Sequence, residues 1–155
     1  MTSEERPMLD LPFVWHDGGR RAAGHHGHTT DCLVRAIAIT SGRPYQEIYD
    51  ILGTDRVDTH CQQFRDQMAA WGFVRHPCMG LEQESQIHLT SGELPNTGRL
   101  VILISSHGDC IVHATALIDG TIYDAYNPQQ HRPNLTDRRI KAVYQWSAPM
   151  SFAVQ

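Results

Sequence analysis

The chain has no apolar run approaching the roughly 18 residues that a membrane-spanning helix needs. Its longest apolar stretches, 100–104 and 110–118, are short or interrupted, so no contact with a bilayer is expected. It also lacks a basic block. Thirteen Lys and Arg stand against 17 Asp and Glu, a net charge of -4 with histidine neutral, and basic residues adjoin only at Arg20-Arg21 and Arg138-Arg139. A nucleic-acid footprint normally shows a basic stripe, so no nucleic-acid partner is expected. Cysteine is sparse, with Cys32, Cys61, Cys78 and Cys110 forming no CxxC pair. The acidic start, Met1-Thr-Ser-Glu-Glu-Arg6, has no apolar segment of the secretory kind. Free thiols in a reducing cytoplasm are therefore expected. Repeats and linkers are missing too. With 155 residues, 41% hydrophobic and 19% charged, disordered, collagen-like and coiled-coil classes are excluded. One domain over 1–155 is expected, with 1–11 as a loose tail. A core of this size needs neither metal nor disulfide. What the chain does have in unusual number is histidine, ten in all.

The pattern along the chain predicts helices first and strands afterwards. Leu11 to Trp15 suits a short strand, which Asp17-Gly18-Gly19 ends, and 24–30 is a Gly/His-rich loop. Cys32 to Thr40 is apolar on most faces, with Asp31 or Thr30 as N-cap and Gly42 as stop, which predicts a buried helix. A second helix runs from Pro44 to Gly53 on the stripe Ile48, Ile51, Leu52. A third runs from about Thr59 to Trp71, with Phe64, Met68 and Trp71 on one face and Gly72 as its end. The polar segment 81–98 reads as a long connection. Arg99 to Ser105 is a buried strand. Ile111 to Ile118 and Thr121 to Tyr126 form a hairpin around Asp119-Gly120, a pair that favours a two-residue type I′ turn. Ile140 to Trp146 is a last strand. The expected fold is α+β, with N-terminal helices packed on a C-terminal antiparallel sheet.

Cys32 starts the first predicted helix. Unpaired N–H groups and the positive end of the helix dipole stabilise a thiolate there, although a cysteine on an apolar helix, taken alone, is more often core filler. The hairpin adds to this. A two-residue loop pairs Ile118 with Thr121, hence Thr115 with Asp124 and His113 with Tyr126. His113, Thr115 and Leu117 then share a face with Tyr126, Asp124 and Ile122. Asp124 is the diagonal neighbour of His113 and can hold its imidazole in one tautomer while the other nitrogen faces a thiol.

The order Cys, His, Asp, with the cysteine opening a helix and the other two on a later sheet, resembles the papain-like cysteine peptidase superfamily. Asp17-Gly-Gly-Arg20, Asp31-Cys-Leu-Val-Arg-Ala-Ile-Ala38 with Tyr45 and Tyr49, Gly98 to Ser105, and His113-x5-Asp119-Gly120-x3-Asp124 resemble a group of small bacterial and phage cysteine peptidase-like proteins. The resemblance covers about residues 12–146. It implies a papain-like fold, with Cys32 as nucleophile, His113 as general base and acid, and Asp124 as orienting group. The chain departs from the papain pattern twice. His26 stands six residues before the cysteine, where papain-type enzymes place a glutamine that donates to the oxyanion. His26, His28, Thr30 or the Cys32 N–H could replace it, and loss of such a donor costs about a hundredfold in turnover. The orienting residue of papain is an asparagine, so Asn127 competes with Asp124, although the register turns Asn127 to the opposite face.

The remaining histidines have plainer readings. His60-Cys61 with His76 and Cys78 supplies four possible zinc ligands, but the spacing matches no usual zinc finger, so neither metal nor cofactor is expected. His25, His26 and His28 could line the cleft and make activity sensitive to pH near neutrality. His107 is a rival base in a surface turn. Arg35 is expected to tie helix to sheet through an ion pair, and Trp15, Trp71 and Trp146 to be core or rim aromatics. Asp17 to Arg20 reads as a tight turn, with anion binding as its alternative. The expected activity is hydrolysis of a peptide, isopeptide or amide bond in a protein or peptide substrate through an acyl-enzyme. The alternative is a catalytically silent papain-like module that binds another protein.

Overall fold

In the computed structural model, which describes residues 11–26, 30–53, 58–59, 61–76, 89, 94–105, 111–130 and 139–147, three helices pack on a six-stranded mixed sheet. Helix α1 (Cys32–Ser41) buries Val34, Ala36, Ile37, Ala38 and Ile39. It ends where Gly42 turns left-handed at φ 76° and donates its N–H to the Ala38 carbonyl, a conformation that costs glycine no Cβ clash. Helix α2 (Tyr45–Leu52) follows Pro44 and buries Tyr45 and Ile48. Helix α3 (Gln62–Ala70) buries Phe64 and Met68. It begins later than the expected Thr59, because Cys61 is extended at φ -82°, ψ 158° and its thiol donates to the Asp58 carbonyl at 3.3 Å.

The strands are β1 (Phe13–Trp15), β2 (Phe73–Arg75), β3 (Arg99–Ser105), β4 (Ile111–Ile118), β5 (Thr121–Asp124) and β6 (Ile140–Trp146). They lie in the order β1-β5-β4-β3-β6-β2. The helices cover one face, where Val101, Leu103, Ala114, Ala142 and Tyr144 join the buried residues of α1, α2 and α3. On the other face Leu100, Ile102, Ile104, Leu117, Ile122, Ile140 and Val143 form a second cluster with Leu89, backed by Leu11 and Phe13. Burial on both faces explains why β3 reads as a continuous apolar run.

The sheet corrects the expectation of a C-terminal antiparallel sheet in two respects. β1 lies parallel to β5, with Phe13 opposite Ile122 and Trp15 opposite Asp124. β2, which carries no period-2 signal over its three residues, pairs antiparallel with β6. Three-residue strands gain their place from the edge they find, not from their own pattern. The hairpin register is Ile118 with Thr121, Leu117 with Ile122 and Ala116 with Tyr123. Asp119 and Gly120 both take positive φ, 48° and 82°, as a type I′ turn requires. β5, however, ends at Asp124 and not at the expected Tyr126. The Asp124 carboxylate accepts the Ala125 N–H at 2.7 Å, Ala125 and Tyr126 form a bend, and Pro128 opens a short 3₁₀ turn.

Candidate active site

The early end of β5 shapes the site. In a hairpin closed at Ile118 and Thr121, the residues that exchange hydrogen bonds with the partner strand are 118, 116 and 114. Ala114 would therefore pair with Ala125. With the Ala125 N–H held by Asp124, the Ala114 N–H donates instead to Cys32 Sγ at 3.4 Å. The thiol of the first residue of α1 thus occupies a vacated ladder position on β4. Cys32 is half-buried and forms no disulfide.

The residue before Ala114 supplies the base. The β3–β4 register passes from Ile104 opposite His113 to Ser105 opposite Ile111, a bulge beside the histidine of the kind that re-aims a side chain. His113 is 3% exposed. Its Nε2 lies 2.8 Å from Asp124 Oδ2, and the same oxygen accepts the Thr115 hydroxyl at 2.6 Å. Nδ1 is therefore the nitrogen left for other partners. It lies 3.0 Å from the Tyr126 hydroxyl, and the ring also interacts with the Cys32 sulfur. The Tyr126 ring packs against the imidazole at 5.0 Å between centroids, tilted by 38°.

Electrostatics favour the charged form of both partners. Burial alone would lower the basicity of His113. Hydrogen bonds to Asp124 and Cys32 and the charges of both outweigh it, holding the imidazole at a pKa of about 9. Burial alone would raise the Cys32 thiol. The His113 hydrogen bond and charge, the Ala114 N–H and the Arg35 charge bring it below the ordinary thiol range. The pair therefore favours thiolate and imidazolium near neutrality. Burial, together with the negative charges of Asp124 and Cys32, pushes the Tyr126 phenol up to about 12.

A buried ion network supports this pair. Asp31 stands at the N-cap position of α1 but makes no side-chain cap. It is 1% exposed, and its carboxylate takes Arg35 Nη1, Arg20 Nε at 3.0 Å and the Tyr45 hydroxyl at 2.5 Å. Arg35 also reaches Asp124 Oδ1 with Nη2 at 3.7 Å. One guanidinium thus ties the start of α1 to the carboxylate on β5, the helix-to-sheet link expected of Arg35. Gly18 lies against this helix, where an added Cβ would stand 2.9 Å from the Arg35 carbonyl. Because Asp31 is turned to the arginines, it leaves the first turn of α1 without a side-chain cap.

The structure brings together Cys32, His113 and Asp124. It does not bring in Asn127, whose Oδ1 accepts the Gln129 backbone N–H at 3.0 Å and the Gln129 side-chain amide at 3.1 Å. His26 and Thr30 are exposed on the loop before α1, and His28 lies outside the described residues. So do His107, His60 and Cys78. Among the described residues no cluster of His, Cys, Asp and Glu is placed to hold a metal ion. The Asp17 turn is closed by its own carboxylate, which accepts the Gly19 and Arg21 N–H groups at 2.9 and 3.0 Å. Trp71 is core at 3% exposure and Trp15 is rim at 60%.

From the sequence Tyr126, Thr115 and Tyr45 carry no role of their own, and Arg20 only a place in the turn that starts at Asp17. The hairpin register already put Thr115 and Tyr126 beside Asp124 and His113. Nothing local signals that Arg20 and Tyr45 converge on Asp31. Among the described residues no helix is long and apolar enough to cross a membrane. No protein-family model, curated protein or solved structure matches the chain.

Proposed function

We propose that the protein is a cysteine hydrolase with a papain-like arrangement, cleaving a peptide, isopeptide or amide bond through an acyl-enzyme on Cys32, His113 and Asp124. The observation that carries the reading is His113, whose Nε2 lies 2.8 Å from a buried carboxylate while its ring interacts with a half-buried cysteine that starts a helix and accepts the Ala114 N–H at 3.4 Å. A histidine in a merely structural role needs no thiol lowered beside it. In the reaction the Cys32 thiolate attacks the carbonyl carbon, and the oxyanion develops beside the Cys32 N–H and the uncapped first turn of α1. The Nδ1 proton of His113 passes to the leaving amine as the C–N bond breaks. Water then attacks the thioester, giving its proton to Nδ1, and the C–S bond breaks to restore the ion pair. Asp124 stays ionised and holds the ring throughout.

Residue-resolved alkylation by iodoacetamide against pH, read by mass spectrometry, tests this on wild type and His113→Ala. Labelling of Cys32 at pH 5 to 6, slowed in the variant and absent at Cys61, Cys78 and Cys110, is the expected outcome. A Cys32 that labels only above about pH 8, as an ordinary thiol does, removes the thiolate–imidazolium pair and leaves a protein-binding module as the better reading.

A further inference from the structure

We propose that Tyr126 is a gate on the second half of the reaction: its hydroxyl closes Nδ1 of His113 once Cys32 is acylated, and must swing away before water can be activated there. The inference rests on the acyl-enzyme reading above and adds a control that this reading does not need.

The geometry assigns two neighbours to one nitrogen. Nε2 is committed to Asp124 at 2.8 Å, while Nδ1 lies 3.0 Å from the Tyr126 hydroxyl and is the nitrogen left for the Cys32 sulfur that interacts with the ring. In the resting ion pair Nδ1 carries a proton, and both the thiolate and the phenol oxygen can accept from it. Acylation changes both partners. The leaving group departs with the Nδ1 proton, and the sulfur becomes a neutral thioester, a poor acceptor. Nδ1 now presents a lone pair, and among the described residues the Tyr126 O–H, at 3.0 Å, is placed to donate to it. The attacking water needs that same lone pair as its base.

Two further features suit a gate and not a fixed strut. Tyr126 is 36% exposed and sits in the bend after β5, so its ring can leave without opening the core. Its phenol stays protonated to about pH 12, so it is a donor at every pH where the enzyme would work. The gate thus lengthens the life of the acyl-enzyme and favours an acceptor that displaces the phenol as it docks.

The test uses p-nitrophenyl acetate. The thiolate of Cys32 attacks the ester carbonyl, the C–O bond breaks and p-nitrophenol leaves with the Nδ1 proton, ionising to p-nitrophenolate in solution, giving S-acetyl-Cys32. In hydrolysis, water forms the new C–O bond, passes a proton to Nδ1 and expels the thiolate with acetate as product. Acetyl-enzyme freed of excess ester is followed by intact mass at pH 8, and the acetyl group is located by peptide mapping. Tyr126→Phe is expected to lose the acetyl group about two- to tenfold faster than wild type, the worth of one hydrogen bond of about 0.5–1.5 kcal/mol. The gain is expected to vanish in Tyr126→Phe/His113→Ala, because it acts through Nδ1. A Tyr126→Phe enzyme that deacylates at the wild-type rate or slower overturns the gate alone. So does a gain that survives without His113. Wild type that acquires no more acetyl at residue 32 than Cys32→Ser overturns the acyl-enzyme reading, and the gate with it.

Discussion

Replacing Asp124 by asparagine tests the centre of the site while keeping its shape. The carboxylate accepts from His113 Nε2 at 2.8 Å and from Thr115 at 2.6 Å through one oxygen, and from the Ala125 N–H at 2.7 Å through the other. Asparagine can fill the same volume, but it presents one neutral acceptor and one donor. The imidazolium then loses a charge-assisted partner worth about 1.5–3 kcal/mol. His113 is 3% exposed, so water cannot replace that partner fully. Losing it lowers the basicity of His113 and, through the ion pair, raises the Cys32 thiol toward its ordinary range. Since about 1.4 kcal/mol is tenfold in an equilibrium, the thiolate population at pH 6 should fall by roughly ten- to a hundredfold. Alkylation of Cys32 in Asp124→Asn should slow by that factor at pH 6 and converge on wild type above pH 9. The Thr115→Val variant, which removes a neutral donor from the same oxygen, should slow it by less. An Asp124→Asn protein that alkylates at pH 6 within about twofold of wild type would show that the carboxylate does not hold the imidazolium.

Two other outcomes follow from the same contacts. The raised His113 contributes stability that is fully present below about pH 6.5 and is lost as pH rises through about 9, while the lowered Cys32 contributes stability present above the ordinary thiol pKa and lost as pH falls. From about pH 7.5 to 8.5 the folded pair and the unfolded chain bind nearly the same number of protons, so this pair should leave the wild-type urea midpoint level there. Cys32→Ser removes one side of that balance, so its midpoint should decline with rising pH; a level profile would contradict the raised His113. Asp31→Asn leaves two arginines and a buried tyrosine hydroxyl sharing a neutral amide, and breaking a buried ion pair costs about 3–5 kcal/mol. Urea unfolding should register a loss of about 3 kcal/mol, and a loss under 1 kcal/mol would mean that the arginines find other partners.

The parts legible in the sequence were those fixed by short-range rules. The type I′ turn at Asp119-Gly120 set the register that puts Asp124 beside Thr115 and His113, and the stop glycines 42 and 53 marked two helix ends. What escaped depends on contacts far apart in the chain. Arg20 and Tyr45 meet at Asp31 because the 18–24 turns fold onto α1. β1 reaches β5 across more than a hundred residues, and no local period announces a parallel three-residue partner. Asp31 shows the difference well. By local rules an aspartate before a helix caps it, yet two arginines and a tyrosine outcompete the backbone N–H groups for its carboxylate.

The same competition decides where β5 stops, and this connects fold to site. Had the ladder continued to Tyr126, the Ala114 N–H would face the Ala125 carbonyl, and Cys32 would lose a backbone donor. Tyr126 would then be fixed in the sheet beside His113 and not carried by a bend. The Ala125 N–H goes instead to Asp124, the residue that also orients the imidazole. One carboxylate thus ends the strand, frees the donor that holds the thiol and fixes the nitrogen opposite to it. A substitution at Asp124 therefore acts on Cys32 by two routes, through the His113 charge and through the Ala114 N–H. The second route would survive in His113→Ala. In Asp124→Ala/His113→Ala the thiol should accordingly be less reactive than in His113→Ala alone, whereas a route through the imidazole only would leave the two alike.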